Sequence, residues 1–191
     1  MGRYHKAFKA ATFMGRMKFA LGFSGRIKSG KTTIARRVAD ELNVPFASFG
    51  DYLRTVAAAR GLDSSDRTIL QDLGQELFES DLSRFCTDVL FAAGWEKGMC
   101  VVIDGIRHVQ VLVELNKILE PVQLKLVYIS ISGEVQAQRI KESGSRYSVD
   151  VVESHSTEVD VMDGLNELAE LHFDGGTVLK TTAARIVAEA I

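Results

Sequence analysis

A chain of 191 residues, 46% hydrophobic and 25% charged, is long enough for one domain with a substantial core and too short for two large ones. No apolar run approaches the roughly 18 residues of a membrane span, since residues 122–132 are few and include Lys125. The net charge of −2 conceals an asymmetry: residues 1–39 hold ten Lys or Arg and no acid, and the first acid is Asp40.

In that basic front end Tyr4, Ala7, Phe8, Ala11 and Met14 recur at helical spacing. The pattern fits a nucleic-acid contact, an anionic membrane surface or a targeting segment. The plainer reading is a leader over residues 1–18, disordered or a non-native extension ahead of a start at Met14 or Met17, and no nucleic-acid partner is expected. Cys86 and Cys100 follow no metal or redox spacing, which points to packed thiols in a reduced, cytoplasmic protein.

From residue 19 onward the chain reads as alternating strands and helices in a single domain. Residues 19–23 form a short apolar run, 31–42 a helical pattern and 45–49 a second apolar run, which is how a parallel sheet begins. Leu70, Leu73, Leu77, Leu82, Phe85 and Val89 mark one face of a long helix. Residues 99–103 follow as a strand buried on both faces. A helix over 109–119 is closed by Pro121, and 122–131 is a strand. After 136–141 comes a polar segment, 142–150, then a further helix, a short strand near 171–173, a Gly-Gly turn and a terminal helix. Five strands alternating with helices predict an α/β fold with helices on both sides of a parallel sheet.

The chemistry begins at GFSGRIKSGKTT. Gly25-Arg26-Ile27-Lys28-Ser29-Gly30-Lys31-Thr32 matches G-x-x-x-x-G-K-[ST], with a strand before it and a helix after it. The two glycines let backbone N–H groups turn inward around phosphate oxygens, and the helix presents its positive end to the same anion. Lys31 is placed to bridge the β- and γ-phosphates of ATP, and Thr32 to ligate magnesium. Residues 25–33, through Thr33, are therefore the nucleotide-binding candidates. A GTPase would add Asn-Lys-x-Asp, whereas the one Asn-Lys pair, Asn116-Lys117, continues with Ile118-Leu119 inside a helix.

Two later segments suggest an acceptor site. Phe49-Gly50-Asp51-Tyr52-Leu53-Arg54 looks like the Gly-Asp-x-Leu-Arg segment of adenylate-kinase-like enzymes. In that reading Arg54 clamps the acceptor phosphate, and Asp51 organises magnesium-bound water or accepts the acceptor's proton; Asp51 as a helix cap is the structural alternative. In Val101-Val-Ile-Asp104-Gly-Ile-Arg107 an acid ends a buried strand, where open α/β sheets bind ligands. Asp104 is expected to hold a magnesium-bound water and Arg107 to reach the acceptor.

With FSGRIKSGKTT, Arg67-x3-Gln71-x2-Gly74, DGIRHVQ, ESHSTE and FDGG, residues 19–191 resemble one P-loop kinase group. It contains phage-type deoxynucleoside monophosphate kinases, dephospho-CoA kinases and animal-type phosphomevalonate kinases. The resemblance implies a three-layer P-loop fold on a five-stranded parallel sheet, ATP with Mg2+, and transfer of the γ-phosphoryl group to a phosphate already on the acceptor. It adds Arg67 and Gln71 to the acceptor site, and Arg139 and Arg146 as catalytic arginines of a short, cysteine-free lid over about 139–150. A (deoxy)nucleoside monophosphate is the first choice of acceptor, with dephospho-CoA or another phosphorylated metabolite as the alternative. A nucleotide sensor without turnover is the alternative of another class. His155 is expected to pack at a helix start capped by Ser156 or Thr157, and Asp174-Gly175-Gly176 to wrap the nucleotide base or simply turn the chain. The expected assembly is a monomer or homodimer, and the expected partner a small phosphorylated molecule.

Overall fold

The computed structural model describes residues 18–143, 164–176 and 179–190. The leader up to residue 17, Arg146 with the polar segment beyond Ser143, and His155 to Glu158 lie outside the described residues. Five parallel strands, β1 (Ala20–Ser24), β2 (Phe46–Ser48), β3 (Val101–Asp104), β4 (Leu124–Ser130) and β5 (Leu171–Asp174), form one sheet in the order β2-β3-β1-β4-β5. This is the five-stranded P-loop architecture expected from the sequence.

The apolar strands are continuous because both sheet faces are covered. Alternate residues sort to opposite sides. Leu21, Phe23, Val102, Val127 and Ile129 pack with Ile34 and Val38 of α1 (Lys31–Leu42) and Ile186 of the C-terminal helix. Ala20, Ile103, Leu124 and Leu126 pack instead against Phe85 and Leu90, and against Leu115 of the helix Val109–Leu119.

The sequence periodicity differs from the structure at one informative place. The single long helix expected through Leu70 to Val89 is two helices. With α2 at Phe49–Ala59, these are α3 (Arg67–Ser80) and α4 (Leu82–Ala92), and the helix Val109–Leu119 becomes α5. Asp81 breaks the run. Its backbone is extended (φ −161°, ψ 89°), and its carboxylate accepts from Arg84 N, so it ends one helix and caps the next. Leu73 lies buried on one side of the break and Phe85 and Val89 on the other; the step from Leu77 to Leu82, about 140° around a helix, is its trace in the apolar spacing. Phe49, expected as the end of a strand, opens α2; the cap is Ser48, whose hydroxyl accepts from Asp51 N. Asp51 is thus a first-turn residue.

Among the described residues no helix is long and apolar enough to cross a membrane. Neither cysteine is in a disulfide. Burial, with Glu114 nearby, pushes the Cys86 thiol up to about 12, so it remains protonated and inert. Iodoacetamide at mildly alkaline pH is expected to spare Cys86 in the native protein and label it in denaturant. Labelling at the denatured rate in the native state, read by peptide mass spectrometry, would contradict this packing.

Candidate active site

The loop between β1 and α1 lies at the carboxyl edge of the sheet, where β1 has β3 on one side and β4 on the other. Ligands collect at such a position in open α/β sheets. Three residues of the loop take positive φ: Gly25 (141°), Lys28 (62°) and Gly30 (88°). A Cβ on Gly25 would collide with the Ile129 carbonyl oxygen, so no larger residue fits there. Gly30 is the N-cap of α1, with no side-chain capping bond, and the first turn of α1 holds no acid. The positive end of this helix is therefore left for an external anion.

Lys31 and Asp104 meet behind the loop. Lys31 Nζ donates to Asp104 Oδ1 at 2.7 Å, and Thr32 Oγ1 donates to Asp104 Oδ2 at 2.8 Å. Lys31 is 8% exposed and Asp104 3%. Burial holds Lys31 below the usual ammonium value, with the Asp104 carboxylate opposing that shift and the Arg107 cation adding to it. The structure thus joins the two residues expected at magnesium. A hydroxyl and a carboxylate are the hard oxygen donors that Mg2+ takes, and it binds through one or two protein oxygens plus waters and substrate phosphates. Among the described residues there is no group of three or more His, Cys, Asp or Glu that could hold a metal ion.

Beyond Asp104 lies a cavity of about 280 Å³. Arg54 from α2, Arg67 and Gln71 from α3, and Arg107 from the turn after β3 all line it. Residues separated by more than fifty positions are thereby brought to one space. Burial first, then the neighbouring Arg67 cation, lowers Arg107 to about 10 against the opposing pull of Asp104. It remains a cation at neutral pH.

Sequence reasoning missed the rest of the cavity. Its wall is apolar, with Leu53, Leu70, Phe78, Phe85 and Val111, and Gln75 and His108 are also at its surface. The Phe78 and His108 rings lie 4.8 Å apart, and Phe49 meets Phe85 edge-on at 5.3 Å. Of these, Leu70 and Phe85 read in the sequence as part of an apolar helix face.

Asp51 is placed elsewhere. Its carboxylate, half exposed, accepts from Arg36 Nη2 at 2.9 Å and Arg54 Nη1 at 3.0 Å, and it does not line the cavity. Arg139, expected over the transferring phosphoryl group, donates to two backbone carbonyls, Lys28 O and Gly175 O, each at 2.9 Å. The Asp174-Gly175-Gly176 turn closes on itself through Gly176 N to Asp174 Oδ1 at 2.8 Å, and a Cβ on Gly175 would strike the Ser29 carbonyl oxygen.

Residues 22–156, which include the loop, Asp104 and the cavity arginines, match the model of a family described as an AAA domain. The chain belongs to that family. Its AAA-domain relatives include a UPF0200/UPF0201 protein of Archaeoglobus fulgidus, 34% identical over 125 residues that make up 63% of this chain and 38% of the relative. A cytidylate kinase of Pyrobaculum neutrophilum is 33% identical over 117 residues, 61% of this chain and 56% of the relative. The aligned stretch thus spans between about a third and somewhat over half of these curated relatives. In fold, this AAA-domain protein is similar to shikimate kinase from Acinetobacter baumannii in complex with shikimate. The TM-score is 0.62 at 17% identity, over 95% of this chain and 96% of that one. A gluconokinase from Sinorhizobium meliloti gives a TM-score of 0.56 at 16% identity, over 92% and 97%. The fold is that of the P-loop small-molecule kinases.

Proposed function

We propose that this protein is an ATP- and Mg2+-dependent phosphotransferase that moves the γ-phosphoryl group of ATP onto a phosphorylated small acceptor, namely a (deoxy)nucleoside monophosphate. The observation that carries the reading is the cavity: Arg54, Arg67 and Arg107 line one space together with Gly105, which follows the Asp104 that pairs with Lys31 of the loop. An uncharged acceptor would gain little from these cations, whereas a phosphate gains charge-assisted and bidentate hydrogen bonds. The apolar wall and the Phe78–His108 pair suit a flat base, and the cytidylate kinase relative supports the same class.

The attacking group is then a phosphate oxygen, which needs little activation. Positioning and charge neutralisation supply most of the acceleration, by direct in-line transfer without a phospho-enzyme. The loop N–H groups and the α1 N-terminus receive the ATP phosphates. Lys31, held by Asp104 before nucleotide arrives, offers its ammonium to the β- and γ-phosphates. Thr32 Oγ1 and an Asp104 carboxylate oxygen would hold magnesium, which when bound neutralises phosphate charge. Arg54, Arg67 and Arg107 fix the acceptor phosphate, with Gln71 beside them, and Arg146 is proposed to neutralise the transferring group. Asp51 tethers Arg54 and Arg36, which suits a role in aiming Arg54.

A thermal-shift panel tests the acceptor class. Nucleoside and deoxynucleoside monophosphates are expected to raise the melting temperature; a ligand at a hundred times its dissociation constant adds about 2.7 kcal/mol. Dephospho-CoA, phosphomevalonate, shikimate and gluconate serve as competitors. A shift with shikimate or gluconate and none with any phosphorylated compound would overturn the proposal.

A further inference from the structure

A phosphate loop can aim its N–H groups inward only if the carbonyls of the same peptides point outward, and each outward carbonyl then needs a donor of its own. In this chain one helix supplies two of those donors, while Arg26 O accepts within the loop from Ser29 N at 3.2 Å. On α6 (Gly133–Glu142), Gln136 Nε2 donates to Ile27 O at 3.1 Å and Arg139 Nη1 donates to Lys28 O at 2.9 Å. The two side chains are three residues apart, on one face of the helix. Gln136 is fully buried. The second arm of Arg139, Nη2, donates to Gly175 O, and Gly175 itself lies so close to Ser29 that no Cβ fits between them. Three consecutive loop residues, Ile27, Lys28 and Ser29, are thus held by α6 and by the turn after β5. The middle one, Lys28, has φ 62°, a left-handed conformation unfavourable for any residue with a Cβ unless its surroundings enforce it.

We propose that Gln136 and Arg139 are positioning residues that set the geometry of the phosphate loop through its carbonyls, so that Arg139 acts on ATP through the loop backbone rather than by touching the transferring phosphoryl group. The proposal rests on reading the loop as the seat of the ATP phosphates. A guanidinium suits the task because its planar fork reaches two carbonyls at once. The Gln136 amide donates without bringing a charge into a site where an ammonium is already desolvated.

The test separates a positioning role from a catalytic one. ATP·Mg and its non-hydrolysable imido analogue are titrated by calorimetry into the full chain, and acceptor-dependent transfer is measured alongside. Hydrogen bonds to charged groups contribute enough that Arg139→Ala is expected to weaken both nucleotides by about tenfold or more. Transfer at saturating ATP should hold within about threefold, with the acceptor KM unmoved. Arg139→Lys should recover only part of the loss, because an ammonium cannot span Lys28 O and Gly175 O as a fork does. Gln136→Met, close in volume but lacking the donor, should weaken the nucleotides in the same way. Melting temperatures of the unliganded variants show that they are folded. A kcat lowered 100-fold or more by Arg139→Ala, with nucleotide affinity intact, would overturn the proposal in favour of a catalytic arginine. So would unchanged affinity in both the Arg139→Ala and Gln136→Met proteins. Wild-type protein that binds no ATP would instead overturn the reading of the loop.

Discussion

Lys31→Ala is expected to abolish phosphoryl transfer and to lower the melting temperature at the same time. The first effect follows from losing the cation at the β- and γ-phosphates; removing a single preorganised donor to developing charge costs about 100- to 1,000-fold in kcat. The second follows from Asp104. With Lys31 gone, a carboxylate that is 3% exposed retains, of these two partners, only Thr32 Oγ1. Breaking a buried pair from one side costs about 3–5 kcal/mol. From the sequence, Lys31 looks like a residue that faces the ligand and adds little to the fold, and the ion pair changes that expectation. Replacing both partners, as in Lys31→Met with Asp104→Leu, should restore the melting temperature while transfer stays absent, because an apolar pair of similar volume substitutes well for a buried ion pair. Transfer by Lys31→Ala within threefold of wild type would contradict the assignment of the loop. An unchanged melting temperature would contradict the buried pair.

Arg107→Ala should raise the acceptor KM or lower kcat while sparing ATP binding, with kcat/KM for the acceptor down by about 10- to 150-fold, the equivalent of a charge-assisted hydrogen bond of about 1.5–3 kcal/mol. Arg54→Ala should act in the same direction and more weakly. Its side chain is 55% exposed and its guanidinium is shared with Asp51, so water screens what it offers a phosphate. Arg107 stands in a desolvated setting that lowers it to about 10, where each interaction with an anion is stronger. Lysine at either position should restore only part of the activity. Acceptor kinetics unchanged in both alanine variants would remove the phosphate-acceptor site, and a nucleotide sensor would become the better account.

The loop was legible in the sequence because its chemistry is local: two glycines, a lysine and a threonine at fixed spacing between a strand and a helix. The sheet was legible because strands buried on both faces are written as unbroken apolar runs, as in Val101 to Ile103. The break at Asp81 was legible only in part: Leu77 and Leu82 are five residues apart, about 140° around a helix, so the stripe changes face there, but a lone aspartate is equally at home on a solvated face. Arg54, Arg67, Gln71 and Arg107 could each be nominated, but only the crossing of α2, α3 and the turn after β3 brings them to one cavity. The apolar wall was hidden for a related reason: Phe78 and Phe85 follow the same spacing whether they fill a core or line a pocket. Gln136 carried no sequence signal, because a single amide in a helix names no partner, and its partner here is a backbone carbonyl 109 positions away.

The central claim, transfer to a phosphorylated acceptor, is tested most directly by following ADP formation from ATP·Mg with and without a nucleoside monophosphate. The account predicts slow release of ADP from ATP alone and a large acceleration on adding the monophosphate, matched mole for mole by the corresponding nucleoside diphosphate. ADP formation at the same rate with and without every phosphorylated acceptor, or ATP binding with no turnover under any condition, would contradict it.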